Sequence, residues 1–192
     1  MPGVPGVIPP AINAAAAAGA PVPAGLSADE EHAYEQLAAF YKDVYYAFFM
    51  GTRPQTLTAL SDSPAGLATF MIDHDARSLA LISRSFDGVP EGLSRDDVLD
   101  NITLFWLTNT GVSSARLYWE NKLPFFSVKG VKIPVGVSTF VDEIYRAPRS
   151  WTEQAYPNLV YYNRQDRGGH FAAWEQPQLL SQDVRTTFRS LR

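Results

Sequence analysis

The hydropathy pattern changes character at Pro124, and that change limits the folds open to this chain more than any other feature. Before it, apolar residues recur at helical spacing. Leu37, Phe40, Tyr41, Val44, Tyr45 and Phe48 form one such stripe, opened by Ser27 and Glu30 at capping-box separation. Further helices are expected from about Pro54, from Ser63-Pro64 with proline at the first helical position, and from Ser94-Arg95-Asp96-Asp97. That last helix points Val98, Ile102, Phe105 and Trp106 inward and is expected to break at Gly111. A fifth helix holds Val112, Ala115, Tyr118 and Trp119. After Pro124 the run Val131 to Val137 reads as a short buried strand, with Pro134 a mild objection. Residues 145–155 read as a helix around Trp151, and Asn158 to Tyr162 as a second strand. Leu179, Leu180, Val184, Phe188 and Leu191 mark a closing helix. The second part is therefore α/β, but two strands are too few for a self-sufficient sheet.

Composition narrows the function classes. A length of 192 residues suggests one domain or slightly more, and 46% hydrophobic residues can fill a core. The net charge is -4 and no Lys/Arg cluster occurs, which argues against nucleic acid and an anionic membrane surface as partners. Without cysteine, disulfides, thiolate metal sites and a cysteine nucleophile are excluded. The bland stretch Ala11 to Ala20 is too short to span a bilayer, and no Lys or Arg precedes Lys42 as a signal peptide requires. A soluble cytoplasmic protein is expected. Residues 1–26, rich in Pro and Gly, read as a connecting segment with no core of its own.

One histidine stands out for chemistry. His170 lies in Arg167-Gly168-Gly169-His170-Phe171-Ala172-Ala173-Trp174-Glu175, where two glycines allow a sharp turn and an apolar helix start follows. That puts an imidazole on a loop tip above a core, a place suited to a base. The same run also suits a surface histidine in a tight turn. The other histidines are His32 and His74, so no metal cluster is expected. Glu143, in Phe140-Val141-Asp142-Glu143, follows the first strand as His170 follows the second. Adjacent parallel strands would bring these ends together, where α/β sheets place their sites, and a carboxylate there can orient an imidazole. A solvated Asp-Glu pair fits the same residues.

Acid followed by histidine near a chain end is the closing order of a Ser…Asp…His hydrolase. Three longer runs make the resemblance specific: Thr52-Arg53-Pro54-Gln55-Thr56, Ser61-Asp62-Ser63-Pro64-Ala65-Gly66-Leu67-Ala68 and the His170 run. Together they resemble the microsomal type of epoxide hydrolase, a family of the α/β-hydrolase fold, over nearly all of the chain. In that family an aspartate attacks an epoxide carbon to form an ester. Two cap tyrosines bind the epoxide oxygen and donate protons to it, and a histidine supported by an acid activates water to cleave the ester. The resemblance implies His170 as that histidine and Glu143 as its acid, eight residues before Trp151, with Asp142 as the neighbouring alternative. It implies Tyr118, in Arg116-Leu117-Tyr118-Trp119-Glu120-Asn121, as one cap tyrosine. The other is Tyr46, six residues before Thr52, with Tyr45 competing.

These residue types suit the reaction. Opening a strained ring is eased by stabilising the developing alkoxide, and a phenol of pKa about 10 can donate to it at neutral pH. On pattern alone, any of the nine tyrosines also fits a core ring with a satisfied hydroxyl. The family's nucleophilic aspartate and its His-Gly-x-Pro loop belong upstream of Met1, and Met50 stands where many relatives carry Gln. The resemblance thus implies a partial α/β-hydrolase fold: a connecting segment at 1–26, a helical cap at 27–123, and the last two core strands with flanking helices at 124–192. The implied substrates are a small epoxide and water, with no cofactor. A sheet left with an unpaired edge is expected to drive oligomers, and the chain alone is expected to be inactive. The competing reading is a non-catalytic remnant serving as a helical binding or dimerisation module; a hydrolase for esters or haloalkanes is disfavoured by the two tyrosines in family motifs.

Overall fold

The computed structural model describes residues 5–89, 91–121 and 124–189. The chain divides into two compact units. One combines Met1–Lys42 with Pro124–Arg192, and the other is Asp43–Leu123. This boundary differs from the one expected at residue 27, because most of the first long helix belongs with the C-terminal residues.

In the first unit, the start of the chain is more than a connector. Val7 and Ile8 are buried, and α1 (Pro10–Ala17) begins with proline where its missing N–H matters least. The Asn13 amide donates to the Phe125 carbonyl at 2.8 Å and the Ser127 hydroxyl at 3.0 Å, and its oxygen accepts from Tyr41. Residues 5–26 therefore gain a core by borrowing one from Phe125 to Ser127, which their own composition does not reveal. α2 (Ala28–Asp43) starts at the expected box: Ser27 N–H donates to Glu30 Oε2 at 2.9 Å, and Glu30 N–H donates back to Ser27 Oγ at 3.4 Å. It buries Ala33, Tyr34, Leu37 and Phe40.

The second unit is helical. The stripe expected to continue to Phe48 is broken: α3 (Tyr46–Thr52) is a separate helix that buries Ala47 and Met50 instead. Tyr45 and Phe48 are exposed, so the stripe does not serve one core. Residues Pro54–Ser61 form a 3-10 helix rather than an α-helix, and α4 (Pro64–Ile72) follows, capped by Ser63. α5 (Ala76–Phe86) and α6 (Arg95–Leu107) come next, the latter with the full Ser94–Asp97 capping box. Leu81, Ile82, Leu93, Val98 and Ile102 form a core with Ala68, Met71 and Ile72 packed against it. α6 ends before Gly111: Asn109 takes φ +53°, a left-handed conformation that asparagine tolerates. α7 (Arg116–Glu120) closes the unit after a short 3-10 turn at Ser113–Ala115.

Back in the first unit, β1 (Val135–Thr139) and β2 (Leu159–Arg164) pair in parallel, with Val137 opposite Tyr162 and Thr139 opposite Arg164. The strand begins later than expected. Ile133 is 70% exposed and Pro134 has no N–H for the ladder, so pairing starts just after it. α8 (Arg149–Ala155) crosses between the strands with Trp151 buried; it starts after Pro148, not at Tyr145. α9 (Ala172–Glu175) and α10 (Pro177–Thr187) end the described fold. Leu191, expected on the closing helix, lies outside the described residues.

Asp183 ties α10 to the sheet. Its Oδ1 accepts from the Tyr161 hydroxyl at 2.7 Å and Asn163 at 3.1 Å, and its Oδ2 from Ser138 at 2.7 Å and Gln165 at 2.8 Å. Burial pushes this carboxyl up, but the donors outweigh it and hold it below the ordinary 3.8. A lowered carboxyl adds stability above its unfolded value and loses it as pH falls through the folded one. Asp183→Ala leaves several part-buried donors without their acceptor and is expected to cost about 2 kcal/mol at neutral pH. Urea unfolding at pH 7 and pH 3 checks this; the cost should shrink at the lower pH.

Candidate active site

Both strands of the sheet lead into one loop cluster. Asp142 N–H donates to the Gly168 carbonyl at 3.0 Å, and Asp142 bridges Gly169 in parallel, so the strand pairing is continued past Thr139 and Arg164. The glycines are needed for this approach. Gly168 has φ +94°, and a Cβ on Gly169 would stand 3.0 Å from the Asp142 carbonyl oxygen.

The next residues carry the chemistry. Glu143 is 6% exposed, and its Oε1 stands 2.7 Å from Nδ1 of His170 while also accepting from the Ile144 N–H at 2.7 Å. A carboxylate on Nδ1 fixes the ring and leaves chemistry at a water to Nε2. The side chain of His170 is 13% exposed, so the ring is largely enclosed. Asp142, the neighbouring alternative, turns an exposed side chain outward.

Glu175 braces this histidine from the other side. Its Oε2 accepts the Gly169 N–H at 2.7 Å and its Oε1 the Phe171 N–H at 2.8 Å, so one buried carboxylate holds the amides on both sides of His170. Burial pushes the Glu175 carboxyl up against these hydrogen bonds, which lower it. In the sequence Glu175 reads only as part of a helix start; the one signal for it is an acid five residues after the histidine, in the first turn of α9.

The second unit holds a pair of phenols. The Tyr46 ring, on the first residue of α3, meets Tyr118 of α7 edge-on, with centroids 5.9 Å apart. The two hydroxyls are hydrogen-bonded; burial nevertheless pushes the Tyr118 phenol up from its ordinary value. Met50, Leu57 and Ala115 form the apolar cluster against which both tyrosines pack, together with Phe70 and Val112. Tyr45, which competed with Tyr46, is 62% exposed. The other face of Tyr46 meets a residue given no role from sequence: the His74 ring lies 4.6 Å away, centroid to centroid.

Among the described residues no group of three or more His, Cys, Asp and Glu side chains could hold a metal ion, and no helix is long and apolar enough to cross a membrane.

No family profile matches the chain. Comparison with curated proteins is informative. A protein of Stigmatella aurantiaca (strain DW4/3-1), provisionally named an epoxide hydrolase, is 46% identical over 170 residues. The match takes in 87% of this chain and 38% of that protein. Epoxide hydrolase 1 of Sus scrofa is 35% identical over 171 residues, covering 81% of this chain and 37% of the pig protein. The chain thus spans under two fifths of the length of these relatives. Among solved structures, juvenile hormone epoxide hydrolase of the silkworm Bombyx mori matches with a TM-score of 0.73 at 25% identity. That alignment covers 96% of this chain and 47% of the silkworm chain. Epoxide hydrolase of Aspergillus niger gives a TM-score of 0.68 at 27% identity, over 90% of this chain and 42% of that one.

Proposed function

Since the chain belongs to the microsomal-type epoxide hydrolases of the α/β-hydrolase fold, we propose that it carries the oxygen-binding and water-activating parts of an epoxide hydrolase. The observation that supports this most is the His170–Glu143 pair at 2.7 Å, on the loops that follow two adjacent parallel strands.

The proposed reaction has two steps. First, a carboxylate nucleophile supplied from outside these residues forms a bond to an epoxide carbon as the carbon–oxygen bond of the ring breaks. Tyr46 and Tyr118 receive the developing alkoxide, and one of them gives it a proton. Burial on an apolar seat suits proton donation. A phenol kept neutral there remains a donor, and a donor aimed at growing negative charge acts strongly away from water. Second, His170 Nε2 takes a proton from water, and the resulting hydroxide attacks the ester carbonyl. The ester bond breaks, the leaving alkoxide takes the proton held by His170 and departs as the diol, and the proton of the carboxyl so formed returns to the phenolate, restoring both carboxylate and phenol. Glu143 keeps the imidazole oriented and stabilises it while it carries the extra proton. Water is the second reactant, so this scheme uses no cofactor.

The 192 residues alone are then incapable of the first step and inactive by themselves. The test compares the purified chain with the same chain fused behind the upstream portion of the Stigmatella relative, using styrene oxide and chromatographic detection of the diol. We expect diol from the fusion and only background from the chain alone. Robust turnover by the chain alone, or a folded fusion that forms neither ester nor diol, overturns the proposal.

A further inference from the structure

Gly168 and Gly169 permit the close approach to Asp142, but they leave the chain loose at the place where a base must be fixed. Glycine has more backbone freedom than any other residue, and two of them directly precede His170. Glu175 counters that freedom. Phe171 and Glu175 are tied in both directions: the Glu175 N–H donates to the Phe171 carbonyl at 2.9 Å, and Glu175 Oε1 accepts the Phe171 N–H at 2.8 Å. Closure of a helix start accounts for that pair of bonds. It does not account for Oε2, which reaches back past His170 to the Gly169 N–H at 2.7 Å. Nor does it account for the burial of the side chain, since Glu175 is 7% exposed and α9 is four residues long. A buried carboxylate is costly even when hydrogen-bonded, and an apolar side chain would fill the same space without that cost.

We propose that Glu175 is a positioning residue for ester hydrolysis, holding the backbone on both sides of His170 while Glu143 holds its ring. The assignment rests on the reading of His170 as the base that activates water. One carboxylate fixes the peptide groups 168–169 and 170–171, so the peptide between them and the Cα of His170 have little room to turn. Glu143 Oε1 then fixes the ring through Nδ1. With backbone and ring both held, Nε2 has one place from which to meet a water. Proton transfer needs that nitrogen within roughly 3 Å of the water oxygen. A misplacement of about 1 Å can cost about a hundredfold. Glu175 takes no proton itself and forms no bond to the substrate. Ring opening does not use His170, so Glu175 serves the second step and not the first.

The test uses the fusion with the upstream portion of the Stigmatella relative. Glu175→Gln keeps the size of the side chain but has one accepting oxygen, and its NH2 group meets the second N–H donor to donor. Intact-protein mass spectrometry after rapid mixing with styrene oxide is expected to show the ester forming at the parent rate and lasting roughly ten to a hundred times longer. Glu175→Asp keeps the charge on an arm one methylene shorter. It is expected to lengthen the ester lifetime as well, and it reads the same effect if the glutamine variant does not fold. A parent ester lifetime in a folded variant overturns the inference. So does an equal slowing of both steps, the mark of a general structural loss. A second measurement needs no epoxide. In the 192-residue chain, hydrogen–deuterium exchange at Gly169 or Phe171 should be about tenfold faster in Glu175→Gln, with the amides of β1 and β2 unmoved. Unmoved exchange at both amides also overturns the inference. If His170→Gln leaves the ester lifetime unchanged, the base reading fails and the role of Glu175 in hydrolysis falls with it, while the exchange result still reports the clamp. If only the Glu175 variants leave it unchanged, the positioning role falls and the base reading stands.

Discussion

His170→Gln, placed in the fusion with the upstream portion of the Stigmatella relative, is expected to stop turnover after a single ring opening and leave the enzyme as its ester. Glutamine keeps a side chain of moderate length beside Glu143 but has no nitrogen that can take a proton from water. In the proposed scheme the ring-opening step does not use that nitrogen and proceeds; ester hydrolysis does use it, and a general base of this kind contributes roughly a hundredfold to ten-thousandfold. Intact-protein mass spectrometry after rapid mixing should show the mass of the added substrate persisting in the variant and fleeting in the parent. Steady-state diol formation should fall by at least about a hundredfold. If the variant fails to form the ester at all, His170 is acting in the first step and the assigned role is wrong.

Tyr46→Phe should fail in the opposite way. It keeps the ring that packs on His74 and on the Met50 cluster, and removes only the hydroxyl. The fold should survive, and the ester once formed should hydrolyse at the parent rate. Ring opening should slow by roughly 100- to 1000-fold, the cost of one donor at a developing oxyanion. Single-turnover kinetics separate the two steps. Tyr118→Phe removes the partner of the same hydrogen bond. Because the two phenols act as a unit, the double variant should lose less than the product of the single losses. Parent-rate ring opening in Tyr46→Phe would remove the phenol pair from the mechanism.

Much of the local structure is legible from the chain alone, because its causes are local. The boxes at Ser27–Glu30 and Ser94–Asp97 and the cap at Ser63 need only a side chain and an amide three residues away, so their spacing can be read directly. The break between α2 and α3 has no such marker. Its cause is the division of the chain between two units after Lys42, a tertiary event with no proline or glycine at the spot. The start of β1 reads too early because Val131 and Ile133 look strand-like, while the proline after them decides where pairing can begin. Among the candidate residues, motif resemblance brings out His170 and Glu143 in one unit and Tyr46 and Tyr118 in the other. Glu175 and His74 escape it for different reasons. Glu175 acts on backbone amides, which leave no trace in the residue types. His74 meets a tyrosine 28 positions away, and nothing local marks that contact.

The split of the first unit into two stretches of chain has a consequence for how the protein emerges from a ribosome. α1 and α2 are made before the helical unit, but their partners come after it: Ile8 N–H donates to the Phe126 carbonyl, the Gln36 side chain accepts from the Arg146 N–H, and Glu30 accepts from the Ser150 hydroxyl. The Tyr145 hydroxyl reaches back to Pro5. The helical unit between them is one contiguous stretch that holds all of its own partners, so it can close while the rest is still being synthesised. Val7, Ile8, Leu37 and Phe40 must meanwhile wait uncovered while the helical unit is made. The nascent chain thus carries a waiting apolar segment ahead of the helical unit, and the His170 loop forms only when β2 arrives to relieve it.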